Sequence, residues 1–214
     1  MKSWFTWITA AFLFFGCAHS KTPYISYPTS FAFKNGVNKT IVCLESIGVN
    51  INRIVVLTID NNKVVNARAA ILPWPIYQFQ SGDIDADNIT DLFVGVIKAC
   101  PYDPVVRRRL FVYEVIDGDL RAKWLGTHVS YDLKDFRTIA IDNKTYIRTI
   151  EQDESGIFHI VTYAWAAFGP RLINNQEGGN NHEEAYRIYN SNSSFNVASA
   201  NRISKKGSLR GGRN

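Results

Sequence analysis

GDIDADNITDLFVGVI, residues 82 to 97, places an acidic loop directly before an apolar strand. Asp83, Asp85, Asp87 and Asp91 fall at loop positions 1, 3, 5 and 9, with Ile89 at position 7. A turn through Asn88 can gather the four carboxylates around one centre, to which Ile89 adds its backbone carbonyl. Four such anions repel strongly unless a cation sits among them, and an all-oxygen donor set suits the hard ion Ca²⁺. Zinc would call for His or Cys. An EF-hand would need Glu at position 12, where Val94 stands, and flanking helices, whereas Leu92 to Ile97 reads as a strand.

Outward from this loop, the same grammar of strand, tight turn and strand repeats. RIVVLTI (Arg53 to Ile59) is a β-branched run, Asp60 to Asn62 turn, and Lys63 to Ala69 return. LFVYEVI (Leu110 to Ile116) turns at Asp117 to Asp119 into Leu120 to Gly126. Arg137 to Ile141 turns at Asp142 and Asn143 into Thr145 to Ile150, and Asp153 to Gly156 lead into Ile157 to Trp165. No window carries a long apolar period of 3.6 residues with caps, so little helix is expected. The fold class is all-β, built from antiparallel hairpins. The turns at Asp60, Asp117 and Asp153 hint at a degenerate repeat of blade size. About 150 residues hold three or four such sheets, so the expectation is a small or incomplete β-propeller-like domain, with a β-sandwich as the alternative.

GDIDADNITDLFVG (Gly82 to Gly95) resembles the FG-GAP or VCBS-type repeat, whose D-x-D-x-D-G-x-x-D-L loop binds calcium between the strands of integrin-like propellers. The resemblance implies metal roles for Asp83, Asp85, Asp87 and Asp91 and for the Ile89 carbonyl, with a structural Ca²⁺. Asn88 stands where the family has Gly, and Asn tolerates the left-handed backbone better than most residues. Phe168, Gly169 and Pro170 echo another mark of the repeat. The chain is also similar to exported FG-GAP-like bacterial lipoproteins.

The ends of the chain read differently from its middle. Lys2 precedes an uncharged apolar stretch from Trp4 to Phe15, followed by Gly16, Cys17, Ala18, His19 and Ser20. As a helix that stretch spans about 18 Å, short of the roughly 30 Å hydrocarbon core, so residues 1–20 read as a signal peptide rather than a membrane span. Cleavage after Ser20 is one processing route. The other is lipidation of Cys17, which resembles a bacterial lipoprotein signal. An exported chain enters an oxidising compartment, where Cys43 and Cys100 would pair if their Cα atoms approach within about 4.4 to 6.8 Å; two reduced, buried thiols are the alternative. Residues 21–173 form the β domain, and residues 174–214, rich in Asn, Gly and Ser and basic at the end, read as a flexible tail. The formal charge of +5 belongs to the ends. Seven of the 24 basic residues lie in residues 1–20 and 187–214, which hold no acid, leaving 17 against all 19 acidic residues. That balance removes the main support for a nucleic-acid-binding fold.

Catalytic motifs are sparse. The chain has no G-x-S-x-G, no H-E-x-x-H and no glycine-rich phosphate loop. His128 with Asp132 or Asp135 is the one acid/base pair that can be assembled. Arg107, Arg108 and Arg109 read as a solvated hairpin shoulder rather than an anion site. Trp74, Tyr77 and Phe79 read as core, with a sugar-stacking platform as the alternative. Asn38, Asn88, Asn143 and Asn192 each open a glycosylation tripeptide, meaningful only in a eukaryotic secretory route. The sequence thus describes a protein of the cell envelope, lipid-anchored or secreted. It reads as a non-catalytic binding or scaffold module with a protein or glycan partner, membrane contact through a lipid and no nucleic-acid partner. A secreted hydrolase or carbohydrate-binding protein with a loop-built site is the alternative. The intact mass of the mature protein is expected to carry a diacylglyceryl group on Cys17; a chain beginning at Lys21 would instead establish cleavage after Ser20.

Overall fold

The structure, a computed structural model, describes residues 29–35, 38–126, 129–142 and 144–191. The signal segment with Cys17, together with His128, Asn143 and the chain from Asn192 onward, lies outside the described residues.

Three four-stranded antiparallel sheets follow one another along the chain, each a meander of sequential strands. The first comprises β1 (Ser30–Asn35), β2 (Asn38–Gly48), β3 (Ile51–Asp60) and β4 (Lys63–Leu72). The second comprises β5 (Ile76–Gly82), β6 (Asp91–Cys100), β7 (Asp103–Ile116) and β8 (Asp119–Leu125). The third comprises β9 (Asp132–Ile141), β10 (Lys144–Gln152), β11 (Phe158–Ala166) and β12 (Gly169–Gly179), followed by one helix, α1 (His182–Asn190). The mostly-β class and the three or four blade-sized sheets expected from the sequence are met by these three. The tight turns use residues suited to positive φ: Asn61 (48°) and Asn62 (61°) join β3 to β4, and Asp117 (54°) and Gly118 (79°) join β7 to β8.

The second sheet lies between the other two. Asp91 to Val96 of β6 are all buried, the continuous pattern of a strand covered on both faces. Leu92, Val94 and Val96, with Phe111, Tyr113 and Val115 of β7, pack on Val42, Ile54, Val56 and Leu72 of the first sheet. The intervening Phe93, with Leu110 and Val112, packs on Leu133, Phe136, Ile147, Val161 and Tyr163 of the third. Gly95 lies on this second face because nothing larger fits: a Cβ there would stand 2.7 Å from the Tyr77 ring and 2.9 Å from Phe136.

The folded body extends beyond Ile173, where the sequence reading ended it. β12 continues to Gly179, paired with β11, and α1 closes a third apolar cluster in which Ala185 and Tyr189 meet Ile150, Phe158 and Ile160. The Asn181 side chain caps the helix by accepting from the N–H groups of Glu183 (2.9 Å) and Glu184 (3.2 Å). At the other end Arg148 donates to the Ile188 carbonyl (3.0 Å), which also accepts from the Ser191 N–H (3.2 Å) and hydroxyl (2.7 Å), and Arg137 donates to the carbonyl of Ser191 (3.2 Å). Polar composition misleads here because two buried side chains on one face are enough to dock a short helix on a preformed sheet.

Cys43 and Cys100 are free thiols. Of the two states left open by the sequence the structure has the reduced one: Cys43 lies beside the buried Val42 on β2, so strand alternation turns it from the second sheet, while Cys100 closes the β6–β7 turn opposite Asp103. Replacing Tyr189 by Ala is expected to lower unfolding free energy by about 3 kcal/mol, the cost of emptying a buried aromatic site. Urea denaturation checks this, and a loss near zero would return residues 174–190 to a tail.

Candidate functional site

Two polar centres stand against this apolar stack. The first is the acidic loop of residues 83–90, closed by the β5–β6 pair Gly82 and Asp91 and pinned to the core by Ile84. Carboxylates organise its backbone. Asp83 accepts from the N–H groups of Asp87 (3.2 Å) and Asn88 (2.9 Å), Asp87 from that of Ile89 (2.8 Å), and Asp91 from that of Ile84 (2.9 Å). Ala86 (φ 62°) and Asn88 (φ 66°) take the left-handed conformation, so Asn88 serves in the backbone role read for it from the sequence. One oxygen from each of Asp83, Asp85 and Asp91 falls within 4.8 Å of the others. Asp87 lies outside that trio, and Ile89 is held to it through its N–H.

The sequence reading missed Lys123, which completes this centre. Its ammonium is 2.8 Å from Asp85 Oδ2, 2.9 Å from Asp91 Oδ1 and 3.9 Å from Asp87 Oδ2, and it stands 5.7 Å from the centre of the Trp165 ring. A bulge aims it there: Trp124 pairs with Val112 and Ala122 with Tyr113, so Lys123 has no opposite residue on β7. Burial lowers the Lys123 pKa, but the hydrogen bonds to Asp85 and Asp91 outweigh it and raise the group. Burial pushes Asp91 up to about 6 in spite of the Ile84 and Lys123 bonds. Three hard oxygens at this spacing fit a divalent cation, and one ammonium neutralises only one of the four carboxylates in the loop. A metal ion and the Lys123 ammonium would therefore compete for the same oxygens.

The second centre surrounds Glu151, which is fully buried on β10. Its carboxylate accepts from Thr149 Oγ1 (2.5 Å), the Tyr163 hydroxyl (2.8 Å) and the Tyr131 N–H (2.7 Å). Burial raises its pKa, with these donors working in the other direction. The Tyr163 oxygen also accepts from the Ser130 N–H at 3.0 Å. His159 stacks on Tyr131 with ring centres 4.2 Å apart, and its two nitrogens reach Asp153 (3.0 Å) and Asn175 (3.2 Å). Asp153 is held well below the usual carboxylate range by hydrogen bonds from Ser155 and His159. These groups underlie a cleft of about 810 Å³ whose lining includes Arg107, Tyr131, Asp132, Lys134 and Glu154.

The other residues singled out from the sequence separate. Asp132 lines the cleft, paired with Lys134 at 2.7 Å; Asp135 accepts from the Phe136 N–H at 2.8 Å. Their candidate partner His128 lies outside the described residues. The arginine run is not a solvated shoulder throughout. Arg109 is only 3% exposed and binds Asp103 at 2.8 Å, because its strand enters the core there. Trp74 and Tyr77 pack on Phe111 and Phe136, under Lys98 and Arg108, so they form no flat exposed platform. No sequence signal marks Glu151 as buried; its alternation with Thr149 on β10 was the nearest one.

No protein-family model and no curated protein matches the chain. Among solved structures it is similar, at 12% identity and a TM-score of 0.37, to one described as a Xanthomonas type IV secretion system related protein, over 75% of this chain and 87% of that one.

Glu151 also makes stability pH-dependent. Its folded pKa lies above the unfolded value of 4.5, so its contribution is complete below that value and is lost as pH rises through the folded pKa. As pH rises from below that value, the urea midpoint of the wild type is expected to fall more than that of Glu151→Gln. Parallel pH profiles would contradict the assignment.

Proposed function

We propose that this chain is an exported binding or scaffold protein, anchored through a lipid on Cys17 or released after Ser20, whose central sheet is locked by Ca²⁺ at the acidic loop. The observation that carries the reading is the convergence of one oxygen each from Asp83, Asp85 and Asp91 within 4.8 Å. Asp87 and the Ile89 carbonyl complete the proposed ligand set. The metal's part is structural: it would tie the β5–β6 loop to the end of the sheet and neutralise charge that Lys123 leaves unbalanced. The slightly acidic body, apart from its basic ends, supports a protein or glycan partner over nucleic acid. No helix among the described residues is long and apolar enough to cross a membrane.

A second reading, a carbohydrate-binding protein or hydrolase with a loop-built site, is favoured by one observation, the polar cleft above Glu151.

If Ca²⁺ binds only the folded chain, calcium at a hundred times its dissociation constant adds about 2.7 kcal/mol. For a body of this size that corresponds to about 5 to 10 °C in Tm, the drop expected on adding a chelator. Asp85→Ala is expected to abolish the sensitivity. Lys123→Met is expected to enlarge the calcium-dependent shift by removing the competing ammonium. Melts that ignore the chelator in the wild type and in Lys123→Met would sink the calcium role and leave Lys123 as the loop's own cation.

A further inference from the structure

The cleft above Glu151 is a built feature. A carboxylate with no exposed surface is held by Thr149, Tyr163 and the Tyr131 N–H, without a cation among these hydrogen-bond partners. Burying a charge in that way costs several kcal/mol, and apolar side chains of similar volume would serve the core at least as well. What the arrangement does accomplish is positional. Glu151 fixes the Tyr131 backbone, Tyr163 fixes that of Ser130 (3.0 Å), and His159 supports one face of the Tyr131 ring. These two residues form a wall of the cleft, so the buried network preorganises its surface.

The lining selects among ligand classes. It contains no aliphatic side chain, which disfavours an apolar guest. Its two cations are already answered: Arg107 lies 3.1 Å from Asp103 and 3.6 Å from Asp132, and Lys134 lies 2.7 Å from Asp132. With Asp153 and Glu154 also on the lining, acids outnumber bases, so a phosphate or carboxylate ligand would meet net repulsion. The remainder is carboxylate oxygens, the Ser130 and Ser155 hydroxyls, the Gln152 amide and one half-buried aromatic ring; of these, Ser155 donates to Asp153 (2.6 Å), Gln152 to the Gly156 carbonyl (2.9 Å), and Ser130 Oγ accepts from Tyr163 (2.8 Å), which leaves their remaining lone pairs and N–H to a ligand. Such a surface accepts from and donates to many hydroxyls and offers a flat apolar face to a pyranose ring. The volume of about 810 Å³ falls within the range of ligand sites.

We infer that this cleft binds a neutral oligosaccharide, with Tyr131 as the stacking platform and Asp132 and Glu154 as hydroxyl acceptors. The inference rests on the binding-module reading for its role and is independent of the metal. The test is calorimetric titration of the full mature chain, in calcium, with neutral hexasaccharides of glucose, mannose and N-acetylglucosamine. Saturable binding of at least one is expected, weakened about tenfold or more by Tyr131→Ala and by Glu154→Ala. Glu154 is exposed, so its variant keeps the fold if Tyr131→Ala does not. No saturable binding of any of the three would overturn the inference, as would affinities unchanged in a folded Glu154→Ala. Tighter binding of hexalysine or polyphosphate than of every neutral sugar would also overturn it. Binding that persists while the melt ignores chelator would remove the calcium role alone, and the reverse pattern would remove the cleft alone.

Discussion

The first six residues of the central strand β6 have no solvent face, and this constraint organises the molecule. From Asp91 to Val96 every residue of β6 is buried, with Leu92, Val94 and Val96 meeting one neighbouring sheet and Phe93 the other. A strand covered on both faces must satisfy its backbone within the sheet and fit side chains on two sides at once. Hence β5, β6, β7 and β8 pair in sequence, and Gly95 leaves room for the rings of Tyr77 and Phe136.

The same burial sets the chemistry at its margins. Asp91 begins β6 and is fully enclosed, so its charge must be met inside the protein by the Ile84 N–H and the Lys123 ammonium. Glu151, on the third sheet, is met instead by hydroxyls and one backbone N–H. The difference separates their uses. A carboxylate among other carboxylates and one lysine suits a cation. A carboxylate among neutral donors suits the positioning of a loop.

Much of the strand pattern was legible locally. The hairpins at Asp60, Asp117, Asp142 and Asp153 all appear, because β-branched runs and turn residues at positive φ act over a few residues. The loop from Asp83 to Asp91 was legible for the same reason. Residues 174–190 were misread. Their polar composition outweighed a short signal that was present: Asn181 three residues before Glu184, with Ala185 and Tyr189 spaced to share a helix face. The sequence left the state of Cys43 and Cys100 open between a disulfide and free thiols; the structure has free thiols, since strand alternation rather than compartment decides where Cys43 points.

By itself the sequence determined the β class, most of the hairpins and the acidic loop, because alternation and turn chemistry operate between near neighbours. Tertiary structure decided which charges meet. Lys123 is 32 positions from Asp91 and reaches it only because a bulge on β8 redirects its side chain. Glu151 reaches Tyr131 across 20 positions and Tyr163 across 12, through the packing of loop and strands in the third sheet. Such encounters depend on register and sheet stacking, which are set by the whole core and leave no periodic mark on the chain.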